Sequence, residues 1–257
     1  MKPLLQTRGL TMRFGGLTAL DGLDLEIAPQ EILALLGPNG SGKTTCFNVI
    51  TGLYKASAGS VSFGGDDLSG RSPQTIYGHG ITRTFQRLRL SLPLTVFDNV
   101  VIGNTRNLDE SLCFNLFRRQ AFKRQHGEMV ERVHQLLKTF NAALADKLWQ
   151  PAVNLSMLDR RRVEICRALI SEPRLLLLDE PSAGMTHEET NELMDDILKV
   201  RQSVAPFAIA LIEHEMDLIQ RISERCVVLN YGKKIAEGTY AEIIADPEVQ
   251  VAYLGKE

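Results

Sequence analysis

Nine consecutive residues, Gly37, Pro38, Asn39, Gly40, Ser41, Gly42, Lys43, Thr44 and Thr45, read GPNGSGKTT. They fit the spacing G-x-x-x-x-G-K-[ST], a loop that wraps phosphate groups. Its glycines reach backbone angles that a Cβ would penalise, so successive N–H groups converge on phosphate oxygens. A helix starting within the loop adds the partial positive charge of its N-terminus. Lys43 is then placed to reach the β- and γ-phosphates, and the Thr44 hydroxyl to ligate Mg²⁺.

A second reactive pair closes LLLLDE at 175–180. Four apolar residues running into two acids predict a buried strand whose carboxylates emerge at its C-terminal edge, where ligands sit in open α/β sheets. Asp179 would hold the Mg²⁺ shell through water. Glu180 would orient and deprotonate an attacking water. Together the two landmarks predict in-line hydrolysis of a nucleoside triphosphate at the γ-phosphorus.

The elements that must position these groups are legible. Glu31–Leu36 is a short apolar strand, and Thr45–Leu53 lacks proline and can be helical up to Gly52. Residues 4–14 and 18–28 read as two strands joined at Gly15-Gly16; Leu23, Leu25 and Ile27 alternate with Asp24 and Glu26, as in a half-buried strand. Ser60–Phe63 reads as another strand. From 105 to 150 the character changes: Met129, Val133, Leu136, Leu137 and Phe140 recur at helical spacing, which predicts a helical insert. Further strands are expected at 174–178, 207–212 and 226–230, and a hairpin at Tyr231-Gly232. Nearly continuous apolar strands predict a buried parallel sheet with helices on both faces.

Composition is compatible. The 257 residues, 44% hydrophobic and 23% charged, suit one large domain or two small ones. The net charge of −2 argues against a nucleic-acid-coating protein, and no nucleic-acid partner is expected. Cys46, Cys113, Cys166 and Cys226 are widely spaced and read as free thiols of a reducing compartment. No signal-peptide core and no membrane-length apolar run is present. A cytoplasmic location is therefore expected, with any membrane work done through a partner. The basic runs Arg118-Arg119, Lys123-Arg124 and Arg160–Arg162 read as solvated helix faces.

The order of these features resembles the ATP-binding subunit of ABC transporters over essentially the whole chain. Carrying it are the two landmarks, DEPSAG at 179–184, Gln86 in RTFQRL, NLSMLDRRRVEICRAL at 154–169 and His214 in LIEHEM. RFGGLTALDGLDLE, GITRTFQ, AGMTHEET, LIEHEMDLI, IAEGTYAEI and the tail VAYLG are most similar to importers of branched-chain amino acids and related amides. The lipopolysaccharide-export ATPase has a similar core and tail.

The resemblance implies a single ATP-binding domain over 1–257. Its fold would be an α/β phosphate-loop ATPase core with an antiparallel β subdomain and a helical subdomain at about 88–160. It implies that Phe14 stacks on adenine, that Gln86 touches Mg²⁺ and water, and that His214 contacts the γ-phosphate. Ser156 would serve ATP held by a second ABC ATPase subunit. Two such subunits would sandwich ATP and Mg²⁺ on the inner face of the cell membrane. They would drive permease subunits and, indirectly, a substrate-binding protein.

One stretch departs from the pattern. The signature serine is normally followed by two small positions, glycine second, and then Gln, whereas here Met157, Leu158 and Asp159 follow Ser156. Leu158 is expected to crowd a backbone N–H near phosphate, and Asp159 to add negative charge beside an anion. Both would fall on the partner's ATP and give asymmetric sites, or a weakly hydrolysing regulatory subunit.

Overall fold

Strand β1 (Leu5–Phe14) turns at Gly15-Gly16 into β2 (Leu17–Ile27), with which it pairs antiparallel from Leu5↔Ile27 to Phe14↔Leu17. β3 (Ile32–Leu36) is buried at all five positions, as its unbroken apolar run predicts. β4 (Ala58–Phe63) and β5 (Asp66–Asp67) complete a four-stranded antiparallel sheet, β2-β1-β4-β5. β6 (Ile81–Arg83), β7 (Leu175–Asp179), β8 (Ala208–Ile212), β9 (Arg225–Asn230) and β10 (Lys233–Gly238) join β3 in a six-stranded sheet, β10-β9-β3-β8-β7-β6. All its pairings are parallel except β10 with β9. That pair is the expected hairpin: Tyr231 and Gly232 both have positive φ (46° and 79°), the conformation of a type I′ turn.

This computed structural model describes residues 2–107, 118–203 and 206–254, which fall into two compact units. The first contains both sheets: the chain up to Arg83, Arg174–Glu180 and Phe207 onward. Helices α1 (Lys43–Ile50) and α2 (Pro73–Gly78) belong to it, the latter capped by the Ser72 side chain.

The second unit, Thr84–Pro173 with Pro181–Pro206, is helical. It comprises α3 (Val96–Val101), α4 (Arg119–Phe140), α5 (Ala142–Ala145), α6 (Met157–Leu169) and α7 (His187–Ser203). On α4, Met129, Val133, Leu136, Leu137 and Phe140 form the buried stripe that their spacing predicts. The part of the expected insert at 108–117, with Cys113, lies outside the described residues. The helical region runs past the expected boundary near 160, because α7 buries Leu193, Met194, Ile197 and Val200 and packs on α4 and α6.

The Arg160–Arg162 run is corrected by the structure. Arg161 and Arg162 are 2% and 3% exposed, not solvated. Buried guanidinium needs acid partners, and finds them: Arg161 Nη1 donates to Glu164 (2.7 Å) and Arg162 Nη2 to Asp196 (2.6 Å). Arg118, Arg119, Lys123 and Arg124 are exposed, as expected.

The first unit is closed by α8 (Met216–Ile222), α9 (Tyr240–Ala245) and α10 (Pro247–Leu254). β3 shows how its parallel sheet is covered twice. Leu33 and Leu35 face a core shared with α1 and the antiparallel sheet, while Ala34 and Leu36 face Ile219, Ile243 and Val249 of α8, α9 and α10. Cys46, Cys166 and Cys226 are buried free thiols; burial pushes that of Cys46 up to about 12.

Candidate active site

Three parallel strands deliver the chemistry to one sheet edge. β3 leads directly into Gly37, β7 ends at Asp179 with Glu180 next, and β8 ends two residues before His214. Between β3 and α1 the loop is closed on itself and its neighbours: Ser41 N–H donates to Pro38 O (3.1 Å) and Gly232 N–H to Ser41 O (2.9 Å). At Gly37 (φ 138°) a Cβ would come within 2.1 Å of Leu229 O, and at Gly42 (φ 108°) within 2.5 Å of Ala19 O. Only glycine fits either place. Ser41 Oγ is buried and has no hydrogen-bond partner among the described residues. No acidic residue occupies the first turn of α1, so its N-terminal positive end is uncompensated by side chains.

Lys43 is 6% exposed, and its ammonium donates to the carbonyls of Gly37 (2.6 Å) and Pro38 (3.0 Å). Burial pushes it below the usual lysine value, and the Glu180 and Asp179 carboxylates oppose that. Thr44 is exposed and its Oγ1 lies 3.5 Å from Asp179 Oδ1; Thr45 is half-buried one residue on. Hydroxyl and carboxylate oxygens are the hard donors Mg²⁺ takes when phosphates supply the rest, so this pair fits that ion.

Glu180 follows β7 in a left-handed conformation (φ 47°), its N–H donating to Ile212 O (2.9 Å). A non-glycine residue held there stores backbone strain, and β8 holds it there. Its Oε1 lies 2.9 Å from His214 Nε2. The Phe14 ring is 42% exposed and meets the Tyr54 ring edge-on, centroids 5.3 Å apart. It is therefore an accessible flat face and no core aromatic.

The first unit thus contains Phe14, the whole loop, Asp179, Glu180 and His214. Gln86 and Ser156 fall in the second. There Gln86 is exposed, and the carbonyls of Phe85 and Gln86 accept from Arg161 Nη1 (3.0 Å) and Nη2 (3.2 Å). Ser156 Oγ caps α6, accepting from Asp159 N–H (3.1 Å). The expectation for the altered signature changes here. The Asp159 carboxylate pairs with Lys147 (2.9 Å) and Arg162 (3.1 Å), so its charge is locally met. Leu158 is turned inward, 7% exposed, whereas Met157 is 44% exposed.

Arg83 and Tyr253 were missed from sequence. Arg83 Nη2 donates to Asp179 Oδ2 (2.5 Å), and the Tyr253 hydroxyl accepts from Gly37 N–H (2.8 Å). They lie in stretches quoted only for their likeness, Arg83 in GITRTFQ and RTFQRL and Tyr253 in the tail VAYLG.

Residues 20–183 match the family model described as ABC transporter, and 233–257 that described as branched-chain amino acid ATP-binding cassette transporter. The chain is 40% identical over 255 residues to the high-affinity branched-chain amino acid transport ATP-binding protein LivG of Escherichia coli K12, covering 99% of each. It is 38% identical to BraF of Pseudomonas aeruginosa, which carries the same description, again over 99% of each. Among solved structures it is similar to a nucleotide-free ATP-binding cassette from an ABC transporter (TM-score 0.84, 29% identity, 99% and 100% of the two chains). An ATP-binding cassette in its ADP conformation matches with TM-score 0.83, 28% identity and full coverage of both chains.

Proposed function

We propose, since this chain belongs to the ABC transporter family of ATP-binding subunits, that it binds and hydrolyses ATP with Mg²⁺ to drive a membrane permease. The carrying observation is the meeting, at one sheet edge, of a phosphate loop, the Asp179 carboxylate and the Glu180–His214 pair 2.9 Å apart. Phe14 offers a face to adenine. Loop N–H groups and Lys43 hold the phosphates, Lys43 exchanging its two loop carbonyls for them. Thr44 and Asp179 would hold Mg²⁺, which would supply neutralisation of the charge that develops on the phosphates. Glu180 takes the proton of the attacking water, with His214 fixing its carboxylate and facing the γ-phosphate. Gln86 is assigned to water and metal, and Ser156 to ATP held by a second ATPase subunit.

No described helix is long and apolar enough to cross a membrane, so work at the cytoplasmic face would go through permease subunits and indirectly a substrate-binding protein. The cargo we assign is branched-chain amino acids or related amides, the class in the names of the relatives at about 40% identity over the full length. The test is uptake of labelled leucine by cells lacking this chain. The parent chain should restore it and Lys43→Ala should not. Normal uptake with Lys43→Ala would defeat the reading.

A further inference from the structure

Arg83 puts a buried cation against the proposed metal side of the site, and none of the roles assigned above uses it. Its side chain is 4% exposed. Nη2 donates to Asp179 Oδ2 at 2.5 Å, Nη1 donates to Asn48 Oδ1 at 2.7 Å, and the guanidinium stands 5.6 Å from the centroid of the Phe47 ring. Asn48 and Phe47 belong to α1, the helix that begins with Lys43 and Thr44. One side chain therefore ties the end of β6 to the end of β7 and to the helix of the phosphate loop.

The two oxygens of Asp179 consequently differ. Oδ2 is held by Arg83, while Oδ1 faces the Thr44 hydroxyl at 3.5 Å. The last torsion of an aspartate is broad, so a free carboxylate would sample many orientations. A planar guanidinium bonded to one oxygen and anchored to Asn48 removes that freedom. A buried ion pair gives little net stability over apolar side chains of equal volume, so stability alone does not account for this one.

We propose that Arg83 is a positioning residue that sets the Mg²⁺-dependent part of nucleotide affinity, by holding Asp179 with Oδ1 turned toward Thr44 and the metal shell. This rests on the reading of the site as one for Mg²⁺ and ATP.

The test measures ATP dissociation constants of the full chain by calorimetry, in EDTA and in saturating Mg²⁺. The ratio of the two is the metal gain. Arg83→Met should cut that gain by about tenfold or more, as loss of a group orienting a metal ligand does. It should leave affinity in EDTA unchanged, since the loop itself is intact. Arg83→Lys, which keeps charge without the fork, should fall between. Where Arg83→Met alone does not fold, Asp179→Asn is compared with Arg83→Met/Asp179→Asn. Equal gains support the proposal, because Arg83 then acts only through Asp179. A further loss in the double variant, an unchanged gain in Arg83→Met, or an equal loss with and without metal would overturn it. A parent chain that gains nothing from Mg²⁺ would instead defeat the functional reading beneath it.

Discussion

His214 Nε2 lies 2.9 Å from Glu180 Oε1, and Glu180 holds that position from a left-handed backbone (φ 47°). Glu180, the base we propose, is thus held twice, by its N–H bond to Ile212 O and by the His214 ring just beyond β8. Gln keeps the shape and the partner while removing the proton acceptor. We expect Glu180→Gln to bind ATP like the parent and release phosphate more slowly by about 10² to 10⁴. Single-turnover phosphate release beside equilibrium ATP binding measures both. Equal turnover in variant and parent would remove Glu180 from catalysis.

Tyr253 fixes the first residue of the phosphate loop from the far end of the chain, its hydroxyl accepting from Gly37 N–H at 2.8 Å. Tyr253→Phe deletes that acceptor and little else. The cost should be about 0.5–1.5 kcal/mol, the usual worth of one such bond. ATP affinity should fall by several-fold, and the Gly37 amide should exchange its hydrogen faster. Unchanged exchange at Gly37 would show that the hydroxyl does not hold the loop.

That contact also marks where sequence reasoning stopped. The loop, Asp179, Glu180 and the strand ends carrying them were legible, because local patterns encode them: glycine spacing, unbroken apolar runs and acids at a strand end. Gly37 and Tyr253 are separated by 216 residues, and no periodicity links them. Arg83 and Asp179, 96 residues apart, are the same case. Arg162 reads as solvated charge because its acid partner Asp196 becomes a neighbour only once α6 and α7 pack; Glu164, three residues after Arg161 on α6, is a local partner, and only the burial of that pair is hidden from the sequence.

Lys43 gives a pH dependence with two opposite signs. Burial holds its pKa below the ordinary 10.5. Between the lowered value and 10.5 the unfolded chain binds more protons at this residue than the folded one, so its contribution to stability rises with pH. ATP needs the charged form, so affinity should fall as pH rises through the same window. Titrating ATP binding from neutral to alkaline pH should show the loss beginning below 10.5. Lys43→Arg, which stays charged, should abolish that alkaline limb. An alkaline limb that persists in Lys43→Arg would assign it to another group.

The last prediction concerns the altered signature. Read as sequence, Leu158 and Asp159 obstruct the partner's ATP, and Leu158→Gly/Asp159→Gln should then raise turnover. The structure gives both residues another role. Asp159 is 8% exposed and neutralises Lys147 and Arg162, while the Leu158 side chain is buried. Asp159→Gln leaves Arg162 with Asp196 and Glu192 but strips one acid from a buried cluster. The cost should be about 1–3 kcal/mol, discounted because Lys147 is 36% exposed. At about 2–4 °C per kcal/mol for a chain of this size, the loss is readable as Tm. Leu158→Gly adds the cost of an emptied core position. We therefore expect the double variant to melt earlier and, assembled with its partners in a Glu180→Gln background, to show no gain in turnover. The side chain that stands outward is Met157, 44% exposed, so Met157→Gly is the substitution to compare. A rise in turnover with Leu158→Gly/Asp159→Gln, despite the lower Tm, would return the obstruction to Leu158 and Asp159.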